Sequence, residues 1–130
     1  MAREHQPTSS KSYLLPHNLY MITLYTVRDY DRMKAEYHDA ADIAAHVLRD
    51  KISNNGIGNP TERKGIIRAN IFDKLEAIEQ ALLKIPSEYR KGLIHNIIYK
   101  SWYPDDASTR TYRRWKQRFI YYVAENLDHV

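Results

Sequence analysis

The stretch "ASTRTYRRWKQRFIYYVAENL", residues 107–127, carries the densest charge chemistry in the chain. Arg110, Arg113, Arg114, Lys116 and Arg118 place five cations within nine residues, and no acid follows until Glu125. Such a run suits an anionic polymer. Arg offers a planar fork that pairs in bidentate fashion with phosphate or guanine, and the Gln117 amide can pair with adenine. At 100° per residue, Tyr112, Trp115, Phe119, Tyr122, Val123 and Leu127 share one helical face and are expected in the core. Arg110, Arg113, Arg114, Gln117 and Tyr121 fall opposite, with Arg118 at the edge. Arg110, Arg114 and Gln117 are accordingly expected on base edges, and Arg113, Lys116 and Arg118 on phosphates. The amides near Ser108 and Thr109, at the helix start, suit a further phosphate. With about four cations on phosphates, log affinity would fall with log salt at a slope near −4, about −0.9 per contact. The blander reading is a solvated outer helix, since Arg and Gln are good helix formers.

Other chemistry is thinly represented. His38 and His46 are eight residues apart, too far for a metal-ligating pair on adjacent turns, and the chain has no cysteine to join its six histidines. Gly56-Ile57-Gly58 lacks the Lys-Ser/Thr of a phosphate loop and reads as a turn. Asp105 and Asp106 are adjacent and belong to a cap or turn, not to an acid/base pair on one face. Asp29, Asp39 and Asp42 have no accompanying ligand set. Neither an enzyme activity nor a metal or other cofactor is expected.

The elements that must position the basic run are all helical, and the expected fold is all-α. The 130 residues, 43% hydrophobic and 28% charged, suit one globular domain. Residues 1–12 read as a mobile polar tail, without the apolar run of a signal peptide, and residues 13–130 as a single domain. From about residue 18 to 51 the apolar positions Leu19, Ile22, Thr26, Met33, Tyr37, Ala41, Ala44 and Leu48 recur at helical steps. The stripe thins at Asp29 and Asp31, where a bend or break is expected. "SNNGIGNPTE" is a turn that ends in a helix start, with Asn59 as cap, Pro60 at the first position and Glu62 placed for a capping box. The next helix, to about residue 84, places Ile67, Ile71, Leu75, Ile78 and Leu82 on one face. Residues 13–85 therefore read as a long antiparallel helical hairpin. A helix over 86–101 buries Leu93, Ile94, Ile97 and Ile98, and Asp106 or Ser108 caps the last one. The charge is uneven: residues 88–123 hold eight Lys/Arg against three Asp/Glu, more than the whole net charge of +4. The basic excess thus lies where the candidate site lies.

"KIPSEYRKGLIHNIIYK" followed by "STRTYRRWKQRFIYYVAENL" resembles the C-terminal region of RinA/ArpU-type regulators of phages and prophages. That region is similar to the sigma-factor part that reads promoter DNA with a helix-turn-helix. Ser108, Arg110, Thr111 and Arg114 match the family's helix start. Val123, Ala124 and Leu127 match its end, and "NPTER" resembles the entry to its second helix. The resemblance implies a helix-turn-helix-like unit over 86–130 that binds double-stranded DNA through Ser108, Arg110, Thr111, Arg113, Arg114, Lys116, Gln117 and Arg118. It also implies host RNA polymerase as a partner and the nucleoid of the bacterial cytoplasm as location. Only "WYPDDAS" separates the basic helix from residues 86–101. Either that longer helix is the supporting element, or the motif has been trimmed. Two other readings stay open: a packaging subunit, and an accessory protein whose Tyr20, Tyr25, Tyr30 and Tyr37 contact a protein partner. A homodimer through the first helix is a further expectation.

Overall fold

Asp29 divides the first helical stretch. In the computed structural model, which describes residues 5–39 and 60–129 (60–64 and 67 by backbone alone), α1 spans His17–Arg28 and a second helical segment, α2, covers 30–39. The Asp29 amide bonds back to carbonyls of the last turn of α1, and its own carbonyl accepts from Met33 N at 2.9 Å. The chain thus bends without a loop. The following helices are α3 (Pro60–Leu83), α4 (Ser87–Tyr99) and α5 (Thr109–Asn126), and a 3-10 turn at Lys11–Tyr13 precedes α1. Every regular element among the described residues is helical. The turn and capping box expected around Asn59 lie outside the described residues.

The core is built round α5, which packs against α1, α3, α4 and the 3-10 turn. Its Tyr112, Phe119, Ile120, Val123 and Ala124 are buried, facing Tyr20, Leu24 and Val27 of α1, Ile78 and Ala81 of α3, and Leu93 and Ile97 of α4. The stripe read on α3 is correct at Ile71, Leu75 and Ile78. On α1 the reading was rotated: Tyr20, Thr23, Leu24 and Val27 are buried, whereas Ile22 is 56% exposed. A single stripe drawn through both halves ignored the register change at Asp29, and this moved the inner face by a residue or two. Alongside α3, Tyr30 donates to Glu79 at 2.8 Å and Tyr37 accepts from Arg68 at 3.2 Å. These contacts run α2 and α3 in opposite directions.

Residues 5–12 do not form the free tail expected of a polar terminus. The Gln6 amide pairs with both backbone groups of Leu15, at 2.8 and 2.9 Å, and Ser10 is tied to α5. Together with the 3-10 turn they make a strap across the outer face of the last helix.

Between α4 and α5 the connection is pinned at several points. Lys100 ends α4 in the left-handed region, with φ 54°. Asn96 Nδ2 donates to the Ser101 carbonyl at 2.7 Å, and the Tyr103 ring stacks on Tyr112 at 5.1 Å. Pro104 lies so close to Gly92 that a Cβ there would sit 2.8 Å from its ring and 3.0 Å from the Tyr112 ring. Alanine normally stabilises a helix by about 1 kcal/mol over glycine. Here overpacking, at about 1–3 kcal/mol, opposes that gain. Gly92→Ala is therefore expected to lower stability in a urea titration; a gain would show that the loop yields freely.

Candidate nucleic-acid interface

Ser108 starts α5 as expected of a cap: its Oγ accepts from Thr111 N at 3.1 Å and lies 2.9 Å from Thr111 Oγ1. Asp106, the other cap candidate, instead accepts from Tyr112 Oη at 2.6 Å. Burial first, and the Asp106 carboxylate second, push the Tyr112 hydroxyl up to about 12. That bond fixes the start of the helix to the loop before it.

Past the cap, Thr109, Arg110, Arg113 and Arg114 are exposed and Thr111 is half-buried. The Arg114 guanidinium lies 5.6 Å from the Trp115 ring centroid, a contact that steadies the side chain while leaving it exposed. These residues occupy the first turns of α5, where backbone amides point out and the helix dipole is positive. The first turn contains no acid. Cations there oppose the dipole instead of complementing it, so helix stability does not account for them.

The remaining three predicted contacts are corrected. Gln117, expected on a base edge, is only 1% exposed. It accepts from Ser10 N at 3.0 Å and donates to Ser10 O at 2.9 Å, pairing with the strap as a neighbouring strand would. Lys116, expected on a phosphate, is buried and donates from Nζ to Asn96 Oδ1 at 3.1 Å. Arg118 lies between two rings, 4.8 Å from the Tyr13 centroid and 5.1 Å from that of Trp115, and its Nε is buried. One cause serves for Gln117 and Arg118: the strap crosses the outer face of α5 from its third turn onward. Tyr13 also meets Tyr121 edge-on at 5.3 Å. The face that begins with Arg110 is open at its start and covered beyond it.

Two features escaped the sequence. The strap contacts of Gln6 and Ser10 carry no local signal, because polar residues at a chain start look alike whether free or bound. Trp102 is the other. It is 96% exposed on the pinned α4–α5 loop, where an aromatic near Pro104 and two aspartates carries only the signal of a helix break. It lines an open cleft of about 1130 Å³ with Arg110, Arg113, Lys116 and residues 5–9.

Among the described residues no group of three or more His, Cys, Asp or Glu is placed to hold a metal ion, and no helix is long and apolar enough to cross a membrane. No protein-family model, curated protein or solved structure matches the chain.

Proposed function

We propose that the protein is a regulator, encoded by a phage or prophage, that binds duplex DNA through the N-terminal half of α5. The observation that carries this reading is the exposed trio Arg110, Arg113 and Arg114 at the positive end of that helix. An acid-free cluster of arginines there stabilises neither the helix nor the core, and it offers three planar forks to phosphate or guanine. A helix is about 10–12 Å across with its side chains, which suits a major groove about 12 Å wide, and two open turns leave about 11 Å of α5 free to enter it. In this reading α4 is the supporting helix of a helix-turn-helix-like unit, and the hairpin formed by the earlier helices is its scaffold. The resemblance to RinA/ArpU-type regulators points the same way, with RNA polymerase as the second partner. The protein acts by binding, without catalysis.

With Lys116, Gln117 and Arg118 withdrawn, the interface reduces to Ser108, Arg110, Thr111, Arg113 and Arg114. If all three arginines meet phosphates, and none is spent on a base edge, the salt slope is about −2.7 in place of −4. A fluorescence-anisotropy titration of the intact protein on duplex DNA over a range of salt checks this. A slope indistinguishable from zero would refute the electrostatic interface.

A second reading is favoured by one face of α1, where Ile22 and Tyr25 are both more than half exposed. A protein contact there, with a second copy or another chain, fits an accessory or packaging role. The tyrosine-rich surface behind that idea is smaller than expected, since Tyr20 is buried and Tyr30 and Tyr37 pack beside α3. A purely monomeric mass at high concentration would remove the homodimer.

A further inference from the structure

Trp102 poses a question that a duplex-binding helix does not answer. Tryptophan is rarely left wholly in water, and this one stands out from a loop in which Ser101, Tyr103, Pro104 and Asp106 all make inward contacts. Ser101 is held by Asn96, and Asn96 is held in turn by the Lys116 ammonium. Tyr103 stacks on Tyr112, and Pro104 closes on Gly92. With both neighbours anchored inward, the indole is left outside the core. The loop is built to display it.

On one side its surroundings are mainly cationic, and on the other it lines a smaller cleft with Glu88, Lys91 and Asp106. The larger cleft is lined by the exposed Arg110 and Arg113 and by Lys116, whose ammonium is engaged by Asn96, with Asp105 the one carboxylate among its lining residues. A flat π-face next to fixed positive groups recognises a planar, uncharged ring attached to an anionic backbone. A paired base offers no such face, because its neighbours in the stack cover it. An unpaired base does.

We propose that Trp102 is a stacking platform for an unpaired base of a polynucleotide, whose flanking phosphates lie on Arg110 and Arg113. The site deepens the duplex-binding reading, on which it rests for its shared arginines, and assigns the protein to DNA with a gap, a single-stranded flank or an opened base pair. The cleft volume, about 1130 Å³, exceeds the 300–1000 Å³ typical of small-ligand pockets and leaves room for a nucleotide and the strand on either side.

The test compares the intact protein with Trp102→Ala and Trp102→Phe. The probes are a fully paired duplex, the same duplex with a short thymidine gap, oligothymidine, and thymidine monophosphate. Tighter binding to the gapped duplex than to the paired one is expected. Trp102→Ala should lose between about 5- and 150-fold on the gapped duplex, the range for one stacked base, with no loss on the paired one. Trp102→Phe should restore most of the affinity, and oligothymidine should quench the emission of the intact protein but not of that variant. Equal binding to gapped and paired duplexes, unaffected by Trp102→Ala, overturns the stacking site and leaves the duplex reading in place. Trp102-dependent binding to oligothymidine without binding to the paired duplex supports the stacking site and overturns the duplex reading. Failure on every probe overturns both. Monophosphate binding as tight as oligothymidine binding would make this a free-nucleotide site and sink the proposal. The indole is nearly all in solvent, so an unchanged melting curve should accompany each variant.

Discussion

Reversing Arg110 and Arg114 together to glutamate is expected to weaken duplex binding by roughly 150-fold at moderate salt. Each guanidinium lost from a phosphate or base edge costs at least about 1.5 kcal/mol, and two such losses give about 3 kcal/mol. The fold should survive. Both side chains are exposed, and Arg114 gives up only its contact with the Trp115 ring, at about 0.5–1 kcal/mol for an exposed site. A carboxylate at position 110 sits in the first turn of α5, where the dipole favours it by about 0.3–1 kcal/mol. The two changes nearly offset each other. A melting curve within a few degrees of the parent, together with lost anisotropy, is therefore the result that supports the interface. Unchanged binding would mean that α5 begins as a solvated face, and the contact surface on α1 would become the better account.

Phe119→Ala should have the largest effect on stability. The ring is fully buried at the centre of α5, among residues that α1, α3 and α4 all contribute. Truncation removes its transfer free energy and leaves a cavity that four packed elements cannot close, costing about 3–5 kcal/mol. Total stabilities run from about 5 to 15 kcal/mol, so about a fifth or more would be lost, seen as a fall of about 10–20 °C in the melting midpoint. Trp115→Ala should cost less. Trp115 is half-buried, with one face stacked on Tyr89 at 6.3 Å and two guanidiniums near its rim. If Phe119→Ala melted like the parent, the aromatic stripe could not be the core.

The first variant probes an open patch and the second a closed one, yet both lie on the same helix. That contrast shows how far periodicity reaches. The spacing of Tyr112, Phe119 and Val123 identifies an inner face of α5 because any packed helix must bury a continuous stripe. The same argument picks out Ile71, Leu75 and Ile78 on α3, and the acids at 29 and 31 mark where the first helix bends. It does not fix the register across a bend, and for that reason it places Ile22 inside where the structure buries Tyr20.

Local chemistry was equally legible where it acts over three or four residues. Ser108 caps α5, and Arg110, Arg113 and Arg114 stand in water. Both follow from the chain's own helical geometry. Gln117, Lys116 and Arg118 carry the same polar signature, but their roles depend on partners far away in sequence: Ser10 for the first, Asn96 for the second, Tyr13 for the third. A side chain that can meet either water or a buried partner reads the same in both cases. Trp102 is the converse, an apolar residue left outside because its neighbours are anchored.

The helical class, the inner stripes of α3 and α5, the cap at Ser108 and the acid-free run of cations are all readable along the chain, since each depends on residues within a turn or two of one another. Which cations remain available depends instead on long-range packing. The strap of residues 5–13 covers α5 from Gln117 onward, and a crossing between segments about a hundred residues apart leaves no periodic trace in either of them.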